Sequence, residues 1–93
     1  MKNYRNHQQI VYDVLTITHD ANQSGIAVTS LLTKANLSHS RLEKFVKKLT
    51  GAGLVNKIEY DGKNTFVITE KGRLFLEEYN KFTRFAESFG LEM

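Results

Sequence analysis

The chain has 93 residues, 41% hydrophobic and 25% charged, with a formal net charge of +3 and no cysteine. That length accommodates one domain around one core, and the missing cysteines exclude disulfides, thiol nucleophiles and cysteine-ligated zinc. No apolar run approaches the roughly 18 residues of a membrane span, and the N-terminal MKNYRNHQQ lacks the apolar segment of a signal peptide, so the expected location is the cytoplasm.

The charge is unevenly placed. Residues 28–64 hold seven basic side chains (Lys34, Arg41, Lys44, Lys47, Lys48, Lys57, Lys63) against three acidic ones, while the flanking segments are close to neutral. A basic centre between neutral arms points to a polyanionic partner.

In chain order, Ile10, Val11, Val14, Leu15 and Ile17 repeat at helical spacing and predict a first helix over residues 4–21. Tyr12 falls off that stripe and is expected either to cover a neighbouring helix, the favoured reading, or to touch a partner. His7 and His19 lie twelve residues apart on a polar background without a carboxylate pair at ligand spacing, so no metal site is expected. DANQSG, residues 20–25, is rich in turn formers and should be a surface loop. Ile26, Ala27 and Val28 then suggest a short strand, and Thr29 a cap for a brief helix through Ala35. Asn36, which tolerates the left-handed conformation, follows that helix, and Leu37 plugs the angle to the next.

SHSRLEKFVKKLTGA, residues 38–52, is the stretch that organises the chain. Leu42, Phe45, Val46 and Leu49 form one apolar stripe at i, i+3, i+4 and i+7. Rotation by about 100° per residue puts Ser40, Lys44 and Lys47 opposite it, Arg41 and Lys48 on one shoulder and Glu43 on the other. Ser38 is the expected N-cap, and Gly53 ends the helix in the left-handed region. The plain alternative is a solvated surface helix with Glu43 and Lys47 as an i, i+4 pair. A short helix, a tight turn and a longer helix with a polar outer face make the helix-turn-helix arrangement.

Beyond Gly53 the pattern alternates, with Leu54, Ile58 and Tyr60 expected on one face and Lys57 and Glu59 on the other. Asp61, Gly62, Lys63 and Asn64 supply hairpin-turn chemistry before a second strand over residues 65–69, with Phe66 and Ile68 inward. The result is a two-stranded wing whose tip carries Lys63 and Asn64. Thr69 is the expected cap of the last helix, and Gly72 in its first turn implies close approach of another backbone. Phe75, Tyr79, Phe82, Ala86 and Phe89 then recur at heptad-like spacing, widened by Leu74 and Phe85. Leu74 and Phe75 are expected to pack on the first helix and wing. The remaining aromatics call for a second apolar surface, and a homodimer is the expected solution.

This order of elements resembles the winged helix-turn-helix fold, a mostly helical α+β architecture. KANLS at residues 34–38, Gly53-Leu54-Val55, Ile68-Thr69-Glu70-Lys71-Gly72 and the run from Phe75 to Tyr79 are similar to archaeal winged-helix proteins that include the small 10a-type chromatin proteins. The resemblance implies a DNA-binding domain over residues 1–69, continuous with a dimerisation helix over 70–93 that pairs antiparallel with its copy. The chain differs in a longer loop at residues 20–25 and in a shorter last helix richer in phenylalanine.

The expected function is double-stranded DNA binding by a dimeric transcription regulator associated with the nucleoid. Helix 38–52 enters the major groove, where Ser40, Arg41 and Lys44 meet base edges. Arg41 is the best reader, because a guanidinium grips guanine O6 and N7 together. Lys44, Lys47 and Lys48 suit phosphates, His39 adds a phosphate bond, and Ser30, Lys34, Lys57, Lys63 and Asn64 fix the module on the backbone, with wing residues 57–66 there or in the minor groove. The alternatives are a sequence-tolerant chromatin protein and a protein-interaction adaptor. Without paired carboxylates at a pocket or a glycine-rich phosphate loop, neither enzyme chemistry nor a cofactor is expected, and no small-molecule site is visible in the sequence.

Overall fold

Asn6 begins the first element by accepting the Gln9 N–H on its side-chain oxygen at 2.8 Å. In this computed structural model, which describes residues 6–21 and 23–91, the chain then forms α1 (His7–Asp20), β1 (Ile26–Ala27), α2 (Val28–Ala35), α3 (His39–Gly51), β2 (Val55–Tyr60), β3 (Lys63–Ile68) and α4 (Glu70–Ser88). Tyr4, where the sequence pattern placed the start of α1, lies outside the described residues.

The core is one cluster. Ile10, Val14 and Leu15 of α1 meet Leu31 and Ala35 of α2, Leu42, Phe45 and Leu49 of α3, and Val55, Phe66 and Ile68 of the sheet. Each such leucine, isoleucine or phenylalanine contributes about 1.5–3 kcal/mol by leaving water, which is how so short a chain holds three helices against a sheet. Val46 and Leu37 pack against this cluster half-buried, so the apolar stripe of α3 faces inward as its spacing requires.

The joints between helices are tight. Asn36 has a φ of 57°, and the Leu37 N–H reaches back to the Leu32 carbonyl at 3.2 Å. Gly53 has a φ of 81°, with the Leu54 N–H on the Leu49 carbonyl at 2.9 Å. Both are the left-handed stop that satisfies a helix's last carbonyls. Ser38 caps α3 by accepting the Arg41 N–H at 3.3 Å. Helix α2 departs from expectation. It starts at Val28, and its cap position falls on Ala27, which has no side-chain bond to give. Thr29 lies inside the helix because β1 runs straight into it.

The sheet is antiparallel in the order β1-β3-β2, so the β2–β3 hairpin is joined by a third, two-residue strand. Pairing of Val55 with Ile68 and of Lys57 with Phe66 fixes which residues share a face. Val55, 1% exposed, is the inward residue of β2; Ile58 and Tyr60, expected inward, lie on the opposite face. Leu54 is buried ahead of the strand, so counting alternation from it put the pattern one residue out of phase. The hairpin loop is only Asp61-Gly62, with φ of 55° and 78°, the two-residue pattern whose twist suits paired strands. Lys63 and Asn64 therefore belong to β3, opposite Tyr60 and Glu59.

Helix α4 leaves the sheet through Thr69, whose hydroxyl oxygen accepts the Gly72 N–H at 3.0 Å and lies 2.6 Å from the Gly53 carbonyl oxygen. It packs on α1 and β3. The contact is made by Leu76 and by Tyr79, whose ring lies 4.9 Å from that of Tyr12. Leu74 and Phe75, expected to pack there, are exposed, because the inward face of α4 runs through Gly72 and Leu76 and turns them outward.

Candidate nucleic-acid interface

Burying Leu42, Phe45 and Leu49 forces the other side of α3 into solvent. His39, Ser40, Arg41, Lys44, Lys47 and Lys48 are all exposed, as are Ser30 and Lys34 on α2 and Lys57, Lys63 and Asn64 on the wing, the β2–β3 hairpin. Among the described residues the ion pairs are His19–Asp20 and Glu78–Lys81, so none of these cations is neutralised by a described carboxylate. In particular, Glu43 and Lys47 do not form the i, i+4 pair of the plain surface-helix reading. These cations, on α3 and its neighbours α2 and the wing and without a carboxylate partner among the described residues, keep a positive field available to an outside partner.

Two concavities flank α3 and sort these side chains. On the wing side lies a groove of about 480 Å³ whose rim includes His39, Lys47, Lys57 and Asn64. The sheet register explains that convergence. Lys57 and Asn64 share the sheet face of Phe66, so beyond the point where Phe66 enters the core they overhang the space beside α3. On the other side lies a cleft of about 270 Å³ lined by His7, Arg41, Lys44, Lys48 and Phe45. The His7 ring stands edge-on to Phe45 with centroids 5.3 Å apart, and the Lys48 ammonium lies 6.0 Å from the Phe45 centroid.

Some expected site residues stand apart. Lys63 projects from the opposite wing face to Lys57 and Asn64, beside the exposed Tyr60. Ser30 and Lys34, one turn apart on α2, line neither concavity. His7, which spacing marked only as an unsupported metal ligand, is brought among three basic side chains of α3. Nothing in its local sequence signals that proximity, which comes from how α1 crosses α3. Among the described residues no group of three histidines or carboxylates is placed to hold a metal, and no helix is long and apolar enough to cross a membrane.

On α4 the aromatic stripe divides. Tyr79 is half-covered by α1, and Ala86 is 4% exposed within the single chain, where its carbonyl accepts the Phe89 and Leu91 N–H groups of the helix end. Phe82, Phe85 and Phe89 are 53%, 63% and 67% exposed, Phe75 is exposed as well, and Leu74 lies at the rim of a cleft shared with Tyr12 and Thr16 of α1. Phe85 and Phe89 lean on each other with centroids 5.0 Å apart. The helix thus has two apolar faces, one spent on its own domain and one uncovered.

Comparison with known proteins finds one family model and several solved structures that match. The model of a family described as winged helix-turn-helix matches residues 4–87. Among solved structures, a similar chain is Sso10a-2, a DNA-binding protein from Sulfolobus solfataricus, with 22% identity and a TM-score of 0.72 over 91% of this chain and 85% of that one. At that identity the likeness is one of fold. No curated protein sequence matches.

Proposed function

This chain belongs to the winged helix-turn-helix family, and from that premise we propose that it binds double-stranded DNA as a dimeric transcription regulator on the nucleoid. The observation that carries the proposal is the outer face of α3: Arg41, Lys44, Lys47 and Lys48 are exposed and unpaired among the described residues, and the wing adds Lys57 and Asn64 across a groove. An α-helix about 10–12 Å wide fits the major groove, and this one would arrive with Arg41, Lys44 and Lys48 toward one flanking strand and Lys47, with Lys57 of the wing, toward the other.

In that pose Arg41 reads guanine, Ser40 and Lys44 reach neighbouring base edges, and Lys47, Lys48 and His39 contact phosphates. Ser30 and Lys34 hold the backbone beside α2, while Lys57, Asn64 and Lys63, on two wing faces, straddle the backbone or the edge of the minor groove. Residues 1–69 form the binding module, and residues 70–93 join two modules through Phe75, Phe82, Phe85 and Phe89, with the half-covered Tyr79 at the margin of the contact; Ala86, expected in the same seam, is already buried within its own chain. That the uncovered phenylalanines sit on a helix that contributes nothing to the DNA face supports this division of labour.

Selection of bound sequences from a random duplex pool, read with mobility shifts at low salt, tests the proposal. A regulator returns a palindromic consensus, one half-site for each module. A flat profile with saturable binding would assign an architectural role instead, and no saturable binding would overturn the DNA reading in favour of a protein adaptor.

A further inference from the structure

The groove between α3 and the wing has a property that a phosphate track does not require. Its floor is apolar, made by Val28, Leu42, Val46 and Phe66, and Val28 and Val46 remain half-exposed in it. A phosphodiester laid across that floor satisfies the lysines and leaves the apolar surface facing charge, with no gain from its burial. An apolar body with a single negative end would use both.

We propose that this groove is a binding site for a small amphipathic anion, an aryl or alkyl carboxylate, and that its occupation displaces duplex DNA. The apolar body lies on Val46 and Phe66. The carboxylate lies between Lys47 of α3 and Lys57 of β2, which line the same groove without a carboxylate partner among the described residues, and Asn64 offers an amide donor beside them. A space of about 480 Å³ is within the usual range of roughly 300–1,000 Å³ for small-molecule sites. Glu43 lines the groove one helical turn before Lys47 and repels an anion from that end, which fixes the ligand's direction. A ligand so placed neutralises two of the cations assigned above to the DNA backbone and fills the gap that a strand would enter. The binding half of the proposal stands on the groove alone; the displacement half rests on the DNA-binding reading.

The probe is 2-naphthoate, titrated into the full chain by its fluorescence and by amide chemical shifts, with uncharged 2-naphthamide as the control. Naphthoate is expected to saturate at one site per chain, shifting α3 and wing amides, with the amide control weaker by about tenfold or more. Glu43→Gln should tighten naphthoate several-fold by removing the repelling charge. Thr50→Trp, at an exposed rim position of the groove, should block naphthoate while far-ultraviolet circular dichroism remains unchanged. Equal binding of the two probes, no saturable naphthoate binding, or naphthoate binding unaffected by Thr50→Trp would each overturn the site. In a duplex titration naphthoate should weaken the wild-type complex and leave the Thr50→Trp complex unmoved. A chain that takes up naphthoate and ignores duplex refutes the DNA reading and keeps the site, whereas duplex binding that is indifferent to bound naphthoate refutes the displacement.

Discussion

Gly72, in the first turn of α4, lies so close to the carbonyl oxygen of Leu54 that a Cβ built there would overlap it, and the same Cβ would stand 2.6 Å from Ile68 Cγ1. The Leu54 carbonyl cannot yield freely, because it already accepts the Thr69 N–H at 3.0 Å. Gly72→Ala should therefore destabilise the protein by about 1–3 kcal/mol, although alanine is the better helix former by about 1 kcal/mol. Urea unfolding reads this as a lowered midpoint with unchanged slope; a stabilised variant would show that the contact relaxes without cost.

Thr69 performs two tasks at that junction. Its hydroxyl accepts from the Gly72 N–H and donates toward the Gly53 carbonyl, so one side chain caps α4 and ties it to the end of α3. Thr69→Ala should cost about 1–2 kcal/mol in the same assay, and Thr69→Ser should recover most of the loss.

The cations of the two surfaces should separate in their effects on duplex binding. Affinity should fall with salt at a slope of about −0.9 for each phosphate neutralised. Removing the charge of Lys63 should reduce that slope by about one unit with little change in sequence preference, whereas Arg41→Ala should relax the preference at a cost of roughly 1–3 kcal/mol. If both variants bind as the wild type does, the face of α3 is misassigned.

Association through α4 is read by sedimentation at micromolar concentration. The wild type should run as twice the 10.7 kDa chain mass. Phe82→Glu combined with Phe85→Glu should give a folded monomer, since neither ring belongs to the core of its own chain and a charge opposite its own copy would oppose pairing. A wild-type monomer would refute the pairing.

The elements legible in the sequence are those set by local chemistry. The stripe of Leu42, Phe45 and Leu49, the Ser38 and Thr69 caps, and the left-handed stops at Asn36 and Gly53 each follow from side chains a few residues apart, and the structure has them where spacing put them. Even the Gly72 contact could be anticipated, because glycine in a helical turn asks for an explanation. What failed to show were matters of register and crossing. Whether Val55 or Leu54 begins the buried face depends on pairing with Ile68, a partner thirteen residues away in the chain. Which of Leu74, Phe75 and Leu76 turns inward depends on where Gly72 meets Leu54. His7 joins Arg41, Lys44 and Lys48 only because the fold brings the start of α1 beside the middle of α3.

The fastening of α4 at its first turn carries a consequence for how far apart two modules stand. Gly72 and Thr69 weld the helix root to the hairpin, so nineteen residues, roughly 28 Å of helix, act as a stiff arm with the phenylalanines at its outer end. Sliding two such arms past each other by one turn would carry both reading heads along by about 5.4 Å. If two chains pair through these arms as proposed, the distance between the stretches of duplex they grip would be set by packing among Phe82, Phe85 and Phe89, and substitutions there would retune it without touching a nucleotide.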